Sequence, residues 1–205
     1  MPFDAAVFDF DGTLVDSAKA KRNSFFAIFP DTGTHRQIIA GVLSDDPDGS
    51  RHRVIPRMLE GIKSLGLGFG DCNSADEFIR RYGEVSDAAV ASAGELPGAS
   101  ALLATLAPNM QLHLCSNTPE ITVRFHVAAR GWTAHFKSVD GHPSSKIETV
   151  AKILEKGGFA PSRVAVIGDG VSDEEAARVN GCRFLAIRCS ADLAAAGQIL
   201  VAAHV

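Results

Sequence analysis

The sequence predicts an open, parallel, Rossmann-like α/β sheet carrying an inserted all-helical domain, and three observations predict it. First, Ala5–Phe10, Gln111–Ser116, Arg163–Gly168 and Arg183–Arg188 are continuous apolar runs rather than alternating ones, the pattern of strands buried on both faces of a parallel sheet. Second, helical stretches accompany the later runs, at 98–107, 119–130, 146–156 and 173–180. Strands alternating with helices make a sheet covered on both faces. Third, residues 17–95 hold helical patterns, such as Arg51–Leu65 and Ser74–Ala91, but no buried strand. Ser74 and Glu77 have the spacing of a capping box for the second of these, and Gly- and Asp-rich joints at 45–49 and 66–71 punctuate the segment. The expected division is an α/β core from residues 1–16 and 96–205, with a helical cap from residues 17–95. In an open α/β sheet the ligand lies beyond the carboxyl ends of the strands, at a topological switch point. The residues that end each run are therefore where chemistry is expected.

A chain of 205 residues suits one large domain or two small ones. With 46% hydrophobic and 21% charged residues it has ordinary globular composition. A net charge of −4 gives no electrostatic reason to expect nucleic acid or an anionic membrane as a partner. The opening MPFDAAVFDF lacks a basic start and acids interrupt it, so it does not read as a signal peptide. No run reaches the roughly 18 uninterrupted apolar residues of a membrane span. The cysteines at 72, 115, 182 and 189 form no CxxC. Cys115 and Cys189 sit in apolar runs and read as reduced, buried thiols, which fits a cytoplasmic setting.

The most informative stretch is DFDGTLVDS, Asp9 to Ser17, placed where the first strand ends. Residues i and i+2 of an extended segment point the same way, so Asp9 and Asp11 can address one site. Two like charges so close need a cation, a proton or a shared task, which points to metal-assisted chemistry; the same pattern also occurs in simple turns. After QLHLC come Ser116, Asn117 and Thr118, then Pro119 at a helix start. Ser116 thus sits at a strand tip facing a helix N-terminus, suited either to plain capping or to phosphate. In HPSSKIE, Ser145 and Glu148 have capping-box spacing, which puts Lys146 in the first helical turn. A cation there opposes the helix dipole. Lys146 is therefore either a solvated surface residue or one retained to pair with a phosphate or with the acids. In VIGDGVSDEEAA, Asp169 ends a strand and Asp173 opens a helix that Ser172 and Glu175 can cap. Both acids can reach a cation at the strand end. Mg²⁺, which keeps several waters and takes few carboxylates, suits such a place. Asp9 and Asp169 would hold it, completed by a backbone carbonyl, the phosphate and water, with Asp173 orienting a water or Lys146 from behind. Glu174 and Glu175 read as helix-start charges.

This order, Asp-x-Asp, then a hydroxyl, then a lysine, then Asp-xxx-Asp, resembles the haloacid dehalogenase superfamily of phosphohydrolases over the whole chain. DFDGTLVDS and GDGVSD match its first and fourth motifs, and LPGAS, Leu96 to Ser100, resembles the return from the cap in the phosphoglycolate-phosphatase-like branch. The resemblance implies that Asp9 is the nucleophile and Asp11 the acid and base. It implies that Ser116 and Lys146 hold the phosphoryl group, and that Mg²⁺ is held by Asp9, the carbonyl of Asp11 and Asp169. It gives Asn117 a lesser part, positioning the nucleophile or the cap. An insertion between the first and second motifs corresponds to the superfamily's small helical cap. The 27 residues between Thr118 and Lys146 are too few for the larger cap of other members. The expected partner is a small phosphorylated metabolite, with oligomeric state open.

Within the cap, GSRHRVIPR is the densest basic cluster, and Arg51 or Arg53 could meet a carboxylate or hydroxyl on the leaving group through a planar fork of donors. A solvated helix face reads equally well. His113, His126 and His135 have no ligand spacing and read as structural, whereas His142 is near Lys146 in sequence. Alternatives are a phosphonatase or a phosphomutase of the same superfamily, or, from a different class, a non-catalytic pseudo-enzyme that binds a partner. The apolar stretch Ala191–Val205 reads as a last packed helix or an association surface.

Overall fold

The computed structural model describes residues 3–47, 49–72 and 74–202. The chain divides into two compact units, residues 1–16 with 94–205, and residues 17–93.

The first unit is the α/β core. Its strands are β1 (Ala5–Phe8), β2 (Gln111–Pro119), β3 (Ser138–His142), β4 (Val164–Gly168) and β5 (Arg183–Ala186), in the spatial order β3-β2-β1-β4-β5. Every neighbouring pair is parallel. β1 and β4 are buried along their whole length, as their unbroken apolar runs require. The chain builds outward from β1 to β2 and β3, then crosses to β4 and β5, so the switch of direction falls at β1. The tip of β1, where Asp9 follows, is where such sheets place their ligands. One layer beneath β1, β2 and β4 is closed by Val150, Ile153, Ala176 and Ala177 against Val7, Cys115 and Val166.

β3 has no counterpart among the apolar runs. Its sequence, SVDGH, holds one large apolar residue, and as an edge strand it pairs on one side only, so a fully apolar run is not required of it. The remaining helices of this unit are α5 (Ala99–Leu106), α6 (Glu120–Ala129), α7 (Lys146–Gly157), α8 (Val171–Asn180) and α9 (Ser190–Ala202); residues 203–205 lie outside the described residues. The outgoing and returning chains are joined by Val15 pairing with Glu95 and by the Leu96 N–H donating to the Leu14 carbonyl at 2.8 Å. Among the described residues, no helix is long and apolar enough to cross a membrane.

The second unit holds α1 (Ala18–Ala27), α2 (Gly33–Asp45), α3 (Arg51–Ser64) and α4 (Ala75–Ser92). They share a core of Phe25, Phe29, Ile39, Leu43, Ile55, Met58, Ile62 and Phe78. Phe29 and Phe78 stack with centroids 4.5 Å apart, and Phe25 and Tyr82 stack at 4.1 Å. Ser74 caps α4 by accepting from the Glu77 N–H at 3.2 Å. Thr32 caps α2 through the His35 N–H, and the buried His35 ring lies between the Thr32 hydroxyl at 2.7 Å and the Gly68 carbonyl at 2.9 Å. That ring ties the α3–α4 connection to the start of α2.

Truncating the central aromatic of this second core, Phe78→Ala, is expected to destabilise the protein by about 3–5 kcal/mol, read as a lowered midpoint in urea unfolding.

Candidate active site

The site is assembled at the tips of β1, β2 and β4 and at the first turns of α7 and α8. Asp9 follows β1, and its backbone N–H donates to the Ile167 carbonyl of β4 at 2.8 Å, so the two strand tips are locked together. Lys146 is the first residue of α7, held there by the expected capping box: Ser145 Oγ accepts from the Glu148 N–H, and Glu148 Oε2 accepts from the Ser145 N–H, both at 3.2 Å. Its side chain is 6% exposed, and its ammonium donates to Asp9 Oδ1 at 2.8 Å and to Asp173 Oδ1 at 2.7 Å. Of the two readings of Lys146, the solvated one is excluded by this burial.

α8 starts differently from expectation. Its N-cap is Gly170, and the carboxylate of Asp173 at the third helical position accepts from the Gly170 N–H at 3.3 Å. The Ser172–Glu175 pairing is displaced because Asp173, buried and tied to Lys146, is the acid positioned to close the first turn. Ser172 instead accepts from Asn117 Nδ2 at 3.3 Å, joining the end of β2 to the start of α8.

Carboxylate oxygens of Asp9, Asp169 and Asp173 lie within 4.8 Å of one another. One ammonium cannot balance three such acids. Burial, reinforced by the neighbouring Asp9 charge, pushes the Asp169 carboxyl up to about 7. Burial and Asp9 raise Asp173 as well, against the pull of Lys146. Burial alone would depress the Lys146 ammonium, but the carboxylates of Asp9 and Asp173 outweigh it and hold the group above the ordinary lysine range. The donor set is hard oxygen with surplus negative charge, which fits a divalent cation of the Mg²⁺ kind.

Two glycines permit this crowding. Gly12 has φ +83°, and a Cβ there would stand 2.2 Å from Asp169 Oδ2. A Cβ on Gly168 would stand 2.2 Å from the Asp173 carboxyl carbon.

β2 runs three residues further than the apolar run suggests, through Thr118 and Pro119. Its register against β3 shifts between Cys115 and Pro119, and such irregularities re-aim side chains beside active sites. Ser116 is buried, and its Oγ accepts from the Thr118 N–H at 3.1 Å. Asp11 stands apart from the other acids: its Oδ2 accepts from the Thr118 hydroxyl at 2.9 Å. Sequence reasoning gave Thr118 no role, although Ser116 and Thr118 have the i, i+2 spacing that places both on one strand face.

Cys115 is buried and burial pushes its thiol up to about 12, but Cys189 is exposed; β5 ends at Ala186, so Cys189 falls beyond the strand that would have covered it. In the helical unit, Arg53 meets Asp46 through two bonds of 2.5 and 2.6 Å, and Arg57 reaches Asp45 at 3.3 Å. Arg51 lies over the Tyr82 ring at 4.9 Å and, among the described residues, makes no ion pair. His113 and His126 are buried beside the sheet, His113 bonded through Nδ1 to the Ser138 hydroxyl at 2.9 Å.

With this geometry in view, comparison with known proteins is decisive about kinship. The profile of haloacid dehalogenase-like hydrolases matches residues 3–181. The chain belongs to this family. It is also 30% identical over 182 residues to the tyrosine-protein kinase PtkA of Mycobacterium tuberculosis, a match covering 85% of this chain but 58% of that protein. The chain thus spans less than two thirds of the length of these curated relatives. Among solved structures, a protein from Haemophilus somnus described as a predicted phosphoglycolate phosphatase superposes with TM-score 0.72 at 21% identity, over 90% of this chain and 84% of the other. An HAD-type hydrolase from Bacillus subtilis, solved bound to magnesium, superposes with TM-score 0.72 at 16% identity, over 98% and 99% of the two chains. Both likenesses are to the α/β fold with its helical insertion.

The surplus carboxylates have a measurable consequence in metal-free protein. A carboxyl raised from 3.8 to about 7 binds more proton in the folded state than in the unfolded state between those values, so stability falls as pH rises through that window. In EDTA, Asp169→Asn is expected to melt above the wild type at pH 8 and to show a shallower decline between pH 4 and 7. Adding Mg²⁺ is expected to raise the melting temperature of the wild type and leave that of the variant unchanged.

Proposed function

We propose that the protein is a Mg²⁺-dependent phosphatase that hydrolyses a small, soluble phosphate monoester through an aspartyl-phosphate. The observation that carries this reading is the buried Lys146 ammonium bonded to both Asp9 and Asp173 with Asp169 beside them. Three acids and a cation gathered at a β-strand tip suit the handling of an anionic phosphoryl group. Membership in a hydrolase family supports it, as do fold neighbours described as a phosphoglycolate phosphatase and as a magnesium-bound hydrolase.

In the proposed reaction an Asp9 oxygen attacks phosphorus as the ester P–O bond breaks. Asp11 gives its proton to the departing oxygen, and the alcohol leaves. Water then attacks phosphorus, Asp11 takes a proton from it, the bond to Asp9 breaks and inorganic phosphate leaves. The sum is ester plus water to alcohol plus phosphate. Ser116 and Lys146 bear the charge of the transferring group. Mg²⁺, held by Asp9, Asp169 and the Asp11 carbonyl, supplies when bound the positive charge that lets an anionic nucleophile approach an anionic ester. Asn117, through Ser172, ties the β2 tip to the start of α8. We assign selection of the leaving group to the helical unit, and within it to Arg51, whose fork of donors is not taken up by an acid as that of Arg53 is.

The test is phosphate release from a panel of small esters with Mg²⁺. Turnover is expected in the wild type and none in Asp9→Asn. Lys146→Met is expected to lose at least ~10²-fold in kcat. Activity surviving in Asp9→Asn, or no Mg²⁺-dependent turnover of any ester, overturns the reading. The name of the mycobacterial relatives makes incubation with ATP and a tyrosine peptide the matching control, and phosphate rather than phosphotyrosine is the expected product. Arg51→Ala is expected to raise KM for the preferred ester while leaving kcat for p-nitrophenyl phosphate unchanged.

A further inference from the structure

We infer that Thr118 is a positioning residue for the acid–base group Asp11, an assignment that rests on the function proposed above. The Thr118 side chain is 5% exposed, and its hydroxyl donates to Asp11 Oδ2 at 2.9 Å. Asp9 and Asp173 are bound instead by the Lys146 ammonium, and Asp169 meets a hydroxyl only at the longer distance of 3.4 Å, from Thr13. The distinction is chemical. An ammonium favours the ionised carboxylate only, whereas a hydroxyl can donate to a carboxylate and, turned about its C–O bond, accept from a carboxylic acid. Asp11 must be an acid in the first half of the reaction and a base in the second. Thr118 is a partner that can hold its side chain in one place through both.

The backbone is arranged to deliver that hydroxyl. β2 extends past its apolar run to include Thr118. The register shift against β3 falls between Cys115 and Pro119. Thr118 is also fixed from its own N–H, which donates to Ser116 Oγ at 3.1 Å, so the residue assigned to the phosphoryl group and the residue holding the acid form one unit. Gly141 of β3 makes room for it: a Cβ there would lie 2.5 Å from the Thr118 carbonyl oxygen and 2.6 Å from the Glu120 Cα. Both contacts are to backbone, so any side chain at 141 must push the Thr118 segment away.

The role predicts a signature that general damage to the site does not give. p-Nitrophenolate departs without a proton, so formation of the aspartyl-phosphate from p-nitrophenyl phosphate needs no acid, whereas its hydrolysis needs the base. Phosphoglycolate has an alkoxide leaving group and needs both. In Thr118→Val, kcat for phosphoglycolate is expected to fall about 10- to 100-fold, part of the usual worth of a general acid–base group. With p-nitrophenyl phosphate, a rapid release of about one nitrophenolate per site is expected to precede a slow steady state. Thr118→Ser should restore both to within about threefold of the wild type, and Gly141→Ala, which keeps the hydroxyl but displaces it, should give a weaker form of the same burst. Asp11→Asn sets the limiting behaviour. Equal losses in the burst and the steady state, wild-type rates in Thr118→Val, or failure of Ser to restore activity would each overturn the assignment. If the wild type releases no phosphate with Mg²⁺, or Asp9→Asn is active, the parent reading fails instead, and the two failures are separable in one set of assays.

Discussion

The ammonium of Lys146 sits between Asp9 and Asp173, buried, with bonds of 2.8 and 2.7 Å, and the arrangement of the site depends on it. Without that cation, three carboxyl groups from β1, β4 and α8 would face one another within 4.8 Å in surroundings that resist charge. With it, Asp9 and Asp173 each gain a charge-assisted bond, yet burial and the Asp9 charge still push the carboxyls of both Asp169 and Asp173 up to about 7. The position of the lysine is unfavourable locally, since a cation in the first turn of a helix opposes the dipole. The tertiary gain outweighs it: two charge-assisted bonds in a buried place exceed a dipole cost of some tenths of a kcal/mol. The imbalance that remains is what makes the cluster receptive to a divalent ion.

Bringing acids this close is a backbone problem as much as an electrostatic one. Gly12, Gly168 and Gly141 each lie where a Cβ would come within 2.6 Å of a neighbouring atom: a carboxylate oxygen in the first case, a carboxyl carbon in the second and the backbone of the β2–α6 connection in the third. Only Gly12 of the three has positive φ. At Gly168 and Gly141 the requirement is space alone. The glycine that follows Asp11 in the first motif therefore admits the Asp169 carboxylate to the β1 tip, and the one that precedes Asp169 in the last admits the Asp173 carboxyl to the β4 tip.

Much of this is legible in the sequence. Continuous apolar runs mark both fully buried strands, β1 and β4. The capping box of α7 is written as Ser145 and Glu148. Asp9, Lys146, Asp169 and Asp173 stand where strand ends and helix starts put them. What escapes has physical reasons. β3 is an edge strand with a single large apolar residue, so periodicity has little to register. The start of α8 is set by a long-range pull: Lys146 fixes Asp173, and Asp173 then closes the first turn on Gly170, leaving Ser172 for Asn117. Cys189 is exposed because the strand before it stops at Ala186. Arg53 and Arg51 are indistinguishable in GSRHR, and only the fold of the α2–α3 connection gives one of them Asp46 and the other Tyr82.

Thr118 escapes for a different reason. In the proposed reaction the first half needs the nucleophile, its counter-charges, a cation and, for an alkoxide leaving group, the acid. What happens next depends on which hydroxyl compound is activated against phosphorus, and that is governed by the base. In this chain the group assigned to that task, Asp11, lies outside the Asp9–Asp169–Asp173 cluster and accepts from a neutral hydroxyl on another strand. Such a contact has no charge pattern to betray it, only an i, i+2 relation to Ser116 and a glycine on the facing strand. The second half of the proposed reaction is therefore set by the surroundings of the acid–base residue rather than by the charged cluster itself.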